Sequence, residues 1–219
     1  MTEPQTRLAL LTPHRVDGSQ AEGLVEALTA ACAVGDVAAV LLRLASSDER
    51  SLVALVKRIA PAAQQTGAAL VVACPDFDGD LVSVAARGGA DGVHLDKPGE
   101  GALGDLRARL RDGRILGTGG LETRHAAMDA GETGIDYLMV GGAYPDGAVP
   151  DSDAVWERAS WWAEIFETPC IAVAATEAEI AGLAVTGAEF VGLESGIWLS
   201  DAAAVARAQA LVEASGATS

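Results

Sequence analysis

The stretch GADGVHLDKPGE, at residues 89–100, has the form of one strand unit, and the chain uses that form three times. GIDYLMVGG at 134–142 and GAEFVGLESG at 187–196 repeat its order of glycine, acid, short apolar run and polar or glycine-rich exit. A glycine suits the left-handed position that ends a helix, and a short apolar run suits a buried strand. The repeat therefore predicts helix-to-strand junctions at three places.

Short apolar runs alternate with longer amphipathic segments along the whole chain. The runs are nearly continuous in hydrophobic residues, which is typical of parallel strands buried on both faces. The predicted strands are 7–11, 37–44, 68–73, 91–95, 114–117, 136–140, 170–174 and 189–193. The predicted helices are 20–34, 47–65, 79–88, 101–111, 122–131, 152–166, 176–186 and 201–214.

Eight such units predict an α/β fold, a single (β/α)8 TIM-barrel domain over residues 1–219. The alternative is an open doubly wound sheet, which usually carries a GxGxxG turn after its first strand. Here that turn reads TPHRVDGS at 12–19, which favours the barrel. In a barrel, Asp91, Asp136 and Glu189 begin strands on the stability face, and the strand exits form the catalytic face.

Composition limits the class of partner. The chain carries 31 acidic and 15 basic residues, a formal net charge of −16, which disfavours nucleic acid and anionic membrane surfaces.

Cys32, Cys74 and Cys170 show neither zinc-ligand spacing nor a disulfide pattern. The N-terminal MTEPQTR does not have the form of a secretory signal, so we expect a cytoplasmic protein.

Arg43 lies near the end of the second predicted strand, where a buried guanidinium needs an anionic partner. One interpretation is a clamp on a ligand phosphate or carboxylate. The other is an ion pair with an acid of the loop after strand three, Asp76, Asp78 or Asp80. His94 lies inside an apolar strand and also has two interpretations. It is either a hydrogen-bonded core residue or a catalytic one.

Two further features each have a functional and a structural interpretation. The aspartates of the loop after strand three, with Asp96, form either a Mg²⁺ site or a solvated acidic loop. Trp156, Trp161 and Trp162 cannot all share one helix face. We therefore expect one of the three tryptophans at the surface or in a subunit contact.

Four motifs follow one another in the chain: GADGVHL at 89–95, DYLMVGGAYPDG at 136–147, TPCIAVAAT at 168–176 and GAEFVGLESGIW at 187–198. Together they resemble the thiamine phosphate synthase and thiazole tautomerase (TenI-like) family. The resemblance covers most of the chain and is strongest from 68 to 100 and from 134 to 198. The fold of that family is a TIM barrel, in agreement with the count of βα units.

The resemblance implies a Mg²⁺-dependent transferase that joins a pyrimidine pyrophosphate to a thiazole phosphate, with a small phosphorylated molecule as its ligand. The second metal carboxylate of the family is missing after strand four, and Asp96 or Glu100 is its nearest replacement. For the missing lysines of the pyrophosphate site, Lys97 and Arg15 are the nearest candidates. The implied catalytic residues are Arg43, His94 and Lys97, and the implied metal ligands are Asp80 and Asp96. The implied phosphate-binding residues are Gly141, Gly142, Thr176, Ser195 and Gly196.

Several positions that handle charge differ from the family pattern. A glycine pair after strand seven is here Ala174-Ala175, a serine of strand five is Gly119, and Glu194 adds a carboxylate beside Ser195. Methyl groups crowd a backbone that should approach phosphate closely. These departures predict a degenerate phosphate and metal site, with synthase activity impaired or changed.

Three alternatives stand beside a diverged synthase. One is a non-catalytic barrel that binds a small phosphorylated or other ligand. Another is a degenerate barrel kept for assembly, for example as a homo-oligomer that uses the tryptophan helix. The third is a different barrel activity on a less anionic substrate.

Overall fold

The computed structural model describes residues 6–111, 113–144 and 148–216 and shows a closed barrel of parallel strands paired in chain order. The end of the DYLMVGGAYPDG motif, at 145–147, lies outside the described residues. The strands are β1 Arg7–Leu11, β2 Val37–Arg43, β3 Ala69–Ala73, β4 Gly92–Asp96, β5 Ile115–Gly119, β6 Tyr137–Gly141, β7 Cys170–Ala174 and β8 Phe190–Leu193. The predicted (β/α)8 barrel is confirmed, and the open sheet is wrong because β1 pairs with β8.

Helices follow the strands around the outside of the barrel. They are α1 Ala21–Cys32, α2 Glu49–Gln64, α3 Leu81–Gly88, α4 Ala102–Arg109, α5 Arg124–Glu132, α6 Ser152–Ile165, α7 Ile180–Ala184, α8 Ser195–Trp198 and α9 Ala203–Gly216. A single 3₁₀ turn, Glu177–Glu179, precedes α7. The short helix α8 was not predicted from the sequence, and it starts directly at the exit of β8.

The acids of the repeated motif join neighbouring strands at the N-terminal face. Each carboxylate accepts a hydrogen bond from the backbone N–H at the start of the preceding strand. The three bonds are Leu70 N to Asp91 Oδ2 at 2.7 Å, Leu116 N to Asp136 Oδ2 at 2.7 Å and Cys170 N to Glu189 Oε2 at 2.8 Å. Hydrogen bonds to a charged acceptor are stronger than neutral ones, so the repeat stabilises the lower rim of the barrel.

Two apolar clusters make up the core, a large one between strands and helices and a smaller one inside the barrel. On α6, Trp162 is fully buried in the outer cluster and stacks on Phe166 with ring centroids 4.0 Å apart. Trp156, on the same helix, is 47% exposed. The helix therefore buries one tryptophan and presents another to the surface.

None of the helices in the described ranges combines the length and the apolar character that a membrane crossing requires.

We predict that Gly117→Ala lowers the free energy of unfolding by about 1–3 kcal/mol, the usual cost of overpacking a core. A Cβ at Gly117, inside the barrel, would lie 2.0 Å from the ring of Tyr137. The matched control is Gly104→Ala on the exposed side of α4, where a Cβ would meet nothing within 4 Å. Urea unfolding of both variants checks this, and equal midpoints for the two would contradict it.

Candidate functional site

The carboxyl ends of the strands form a mouth, the end of the barrel where parallel-barrel enzymes place their chemistry. We use "mouth" for the exits of β1, β2, β4, β6, β7 and β8. Buried polar and charged side chains gather there in an otherwise apolar barrel. They are Thr12, Arg43, His94 and Glu194.

Arg43 and Glu194 form a buried ion pair at the centre of the mouth, with exposed fractions of 4% and 7%. Arg43 Nη2 donates to Glu194 Oε2 at 2.7 Å, and Nη1 donates to Oε1 at 3.0 Å. Nε and Nη2 of the guanidinium also donate to the carbonyl oxygen of Thr12, Nε at 2.6 Å. Every nitrogen of the Arg43 guanidinium therefore has a partner within the protein.

The ion-pair interpretation of Arg43 is right in kind, but the acid comes from the exit of β8, on the far side of β1 from β2. Its partner follows β8, whereas Asp76 of the loop after β3 pairs with Arg15 at 3.0 Å. Asp80 pairs with Arg109 at 2.5 Å. A contact between the exits of β2 and β8 depends on the pairing of β1 with β8, which proximity along the chain does not indicate.

Glu194 also accepts hydrogen bonds from the backbone at the exit of β6 and at its own exit after β8. Oε1 accepts from Ala143 N at 2.8 Å, and Oε2 is 3.3 Å from Ser195 N at the start of α8. Gly141 and Gly142 have φ of 90° and 88°, and this left-handed backbone turns the amide of Ala143 toward the carboxylate. The glycine pair assigned to phosphate thus directs its neighbouring amide at a carboxylate of the protein.

The backbone at the exit of β7 also donates a hydrogen bond to a carboxylate of the protein. Ala175 N donates to Glu179 Oε2 at 2.8 Å, within the turn that leads into α7. Thr176 is exposed, and its side chain does not cap that turn. Gly196 is exposed as well, and a Cβ there would meet nothing within 4 Å. The predicted phosphate-binding residues therefore surround the mouth, with Thr176 and Gly196 on its outer side.

His14, after β1, adds an imidazole to the mouth. Its Nε2 lies 2.8 Å from the carbonyl oxygen of Ala143 and 3.0 Å from Arg43 Nη1. One ring nitrogen can donate to the carbonyl or accept from the guanidinium, but it cannot do both. Burial and the charge of Arg43 lower the pKa of His14, which favours the neutral ring at neutral pH.

His94, Tyr137 and Asp96 form a hydrogen-bonded chain between the barrel interior and the mouth. His94, 1% exposed, meets Tyr137 Oη through Nδ1 at 2.8 Å and Asp96 Oδ1 through Nε2 at 3.1 Å. The two rings stack with centroids 5.6 Å apart. Both nitrogens of His94 are occupied, so the ring is held as a positioned support for Asp96.

Asp96 is the second carboxylate at the mouth. Burial acts to raise its pKa, but His94, Arg43 and His14 outweigh burial and hold the pKa below its ordinary value. The carboxylate is therefore ionised at neutral pH. With Glu194 it makes the mouth an acceptor surface that cancels the charge of the cations around it.

Lys97 is the cation on the rim of the mouth, as the sequence predicted. Its φ of 46° places a non-glycine residue in the left-handed region. Nζ lies 4.8 Å from the ring centroid of Tyr144 and 3.4 Å from Glu122 Oε1. The side chain is 56% exposed, so this ion pair is weak.

Magnesium ligation was assigned to Asp80 and Asp96 by the resemblance, and the donor set does not fit it as arranged. Asp80 caps α3 by accepting from Ser83 N at 3.1 Å, and it pairs with Arg109. Among the described residues, no group of three or more His, Cys, Asp or Glu is placed to hold a metal ion. Magnesium binding by Asp80 and Asp96 stays a prediction.

Sequence reasoning named Arg43, His94, Asp96 and Lys97 and missed two groups that hold them. Tyr137 supports His94, and the carbonyl of Thr12 receives Arg43. A signal for Tyr137 exists, because alternation along β6 places a polar aromatic residue inside the barrel. The carbonyl of Thr12 carries no such signal.

We predict that Arg43→Met and Glu194→Leu each lower the free energy of unfolding by about 3–5 kcal/mol, because each leaves a buried charge without its partner. The double variant should recover much of that loss, which a double-mutant cycle in urea measures. The exposed pair Arg7–Asp36 is the control, and its single variants should cost about 1 kcal/mol or less. Similar losses at the two pairs would contradict the prediction.

We predict that Asp96→Asn flattens the acid limb of the stability curve. Because folding lowers this pKa, the stabilisation is complete above the unfolded value of about 4. It is lost as pH falls through the lower folded pKa. Urea unfolding of both proteins between about pH 5 and pH 2 measures the difference. Superimposable curves would contradict it.

Comparison with known proteins agrees with this architecture. Residues 8–197 match the family model described as thiamine monophosphate synthase. The thiamine-phosphate synthase of Rhodospirillum centenum is 34% identical over 194 residues, covering 88% of this chain and 89% of that protein. That of Hyphomonas neptunium is 34% identical over 227 aligned positions, covering 96% and 95%. The solved thiamine phosphate pyrophosphorylase from Pyrococcus furiosus has a TM-score of 0.75 at 19% identity over 97% of this chain and 98% of that one, which supports the fold alone. This chain belongs to the thiamine monophosphate synthase family.

Proposed function

We propose that this chain is a diverged family member whose mouth binds a small ligand with less negative charge than a pyrophosphate. In this proposal the synthase reaction is lost or strongly reduced. The observation that supports it is the engagement of Arg43 by Glu194. The guanidinium that the resemblance assigns to an anionic substrate already holds an anion of the protein.

The other donors suited to an anion are also in use. Glu194 accepts from three donors at the mouth, and Glu179 accepts from a fourth. These donors are the Arg43 guanidinium and the backbone N–H groups of Ala143, Ser195 and Ala175. A phosphate group would have to displace a carboxylate from each of them.

Repulsion makes that displacement costly. Two like unit charges 4 Å apart repel by about 4 kcal/mol at an effective dielectric constant of about 20. That energy corresponds to roughly a thousandfold in a binding constant. Catalysis is affected too, because removing one preorganised donor from a developing charge costs about 10²–10³ in rate.

The same groups suit a neutral or cationic ligand with N–H donors. Asp96, held by His94, is an ionised acceptor at the mouth, and the negative charge of Glu194 favours a neutral or cationic ligand over an anion. Lys97 stands at the rim, where its exposed chain can cover a bound molecule. An unphosphorylated nitrogen heterocycle, such as the alcohol form of the pyrimidine that the resemblance implies, has this character.

We predict that, with Mg²⁺ present, the protein forms no thiamine phosphate above a no-enzyme control when pyrimidine pyrophosphate and thiazole phosphate are supplied. Oxidation to fluorescent thiochrome measures the product. In calorimetry the hydroxymethylpyrimidine alcohol should bind more tightly than its pyrophosphate. Glu194→Gln should bind inorganic pyrophosphate at least about tenfold more tightly than the wild type, since it removes the competing charge but keeps an acceptor for Arg43.

The matched control is Asp201→Asn, which removes an exposed carboxylate outside the mouth. It should leave pyrophosphate affinity unchanged. Product formed by the wild type and abolished in Arg43→Ala would overturn the proposal. So would tight pyrophosphate binding by the wild type that Glu194→Gln does not improve.

A further inference from the structure

A cavity lies inside the barrel at the end opposite the mouth. Its volume is about 240 Å³, and it opens at the N-terminal face, where the strands begin. Most of the lining belongs to the inner apolar cluster and to residues packed against it. Its walls include Ala9, Ala39, Ala69, Tyr137, Ile171 and Phe190. Tyr137 links this cavity to the network of the mouth, because its hydroxyl meets His94.

Three alanines that are neighbours in register create this space. Ala39 of β2 is the register partner of Ala9 on β1 and of Ala69 on β3. TIM barrels usually fill their interior with bulky branched side chains. Here three adjacent strands contribute only methyl groups to this row, and the larger Phe190 on β8 and Ile171 on β7 line the same space.

The polar side chains at this end are already satisfied. Arg7 makes two hydrogen bonds of 2.7 Å to Asp36. Asp136 accepts from Arg107 at 2.7 Å and from a strand N–H. The hydroxyl of Tyr137 is engaged by a histidine deeper in the barrel. Among the described residues that line the cavity, each charged or hydroxyl side chain is therefore already paired with another group of the protein.

We propose that this lower cavity is a binding site for a small, neutral, apolar molecule of the size of a single aromatic ring or a short alkyl chain. Water needs two to four polar partners to occupy a cavity, and these walls supply few. An apolar cavity of about 150 Å³ is large enough for benzene. The lower cavity exceeds that volume, and its wide wall of methyl groups and aromatic rings matches an apolar surface.

Toluene and phenol test the proposal, because the two molecules have nearly the same shape and differ in one group, a methyl in toluene and a hydroxyl in phenol. We expect saturable binding of toluene, seen as a dose-dependent rise in melting temperature. Phenol should bind more weakly, since its hydroxyl loses water and must compete for side chains that are already paired within the protein. Methyl-labelled alanine NMR then locates the ligand, with NOEs from toluene to the methyls of Ala9, Ala39 and Ala69.

Ala39→Leu and Ala69→Leu fill the cavity from two separate strands. Each should weaken toluene binding by at least about tenfold, because little volume is left for the ring. Ala30→Leu, on the exposed side of α1, is the matched control for added bulk. Lys97→Ala, at the opposite end of the barrel, controls for binding in the mouth. Both controls should bind toluene as the wild type does.

The proposal fails if toluene gives no saturable shift, or if its NOEs fall on residues of the mouth. It also fails if a folded cavity-filling variant binds toluene as tightly as the wild type does. Should one of the two leucine variants not fold, the other still decides, and the NOEs of the wild type decide independently of both. None of these results depends on whether the mouth binds a phosphate.

Discussion

The carboxylate of Glu194 is the constraint on which the arrangement of the mouth depends. It meets the guanidinium of Arg43 from β2 and the amide of Ala143 after β6, so it joins strand exits on different sides of the barrel. A buried pair of this kind adds little net stability over an apolar pair, yet removing one partner is costly. Such a pair therefore fixes geometry more than it adds energy, and the mouth is locked in one arrangement of charge.

Family resemblance and charge chemistry separate in this protein. The barrel and the match to the family model over residues 8–197 place the chain in the family. What differs is the group that the donors face. Arg43 and the amide of Ala143 face the protein's own Glu194, where the resemblance implies an outside anion. A fold can persist through such a change, because the framework is stabilised by buried apolar strands rather than by the site.

The sequence was sufficient to predict the barrel, because buried parallel strands appear as nearly continuous apolar runs and each run is followed by an amphipathic helix. It was also sufficient to predict that Arg43 and His94 lie toward the same end of the barrel, because parallel strands run in the same direction. It could not supply the partner of Arg43, because Glu194 meets it only after the sheet closes. Nor could it show that Ala9, Ala39 and Ala69 are neighbours in register, which depends on how the strands pair. Both limits come from register, a property of pairs of strands.

The acids at the starts of β4, β6 and β8 bear on the order in which this chain folds. Their hydrogen bonds span 21, 20 and 19 residues, so each is made within one βαβ unit. The seam between β1 and β8 is different, since Thr6 reaches Ala188 across 182 residues. Because the entropy lost in closing a loop grows with its length, local units form at lower cost than the seam. We expect the three acid-linked strand pairs to assemble early and the barrel to close last, so the lower rim works as a set of local nuclei as well as a stabilising edge.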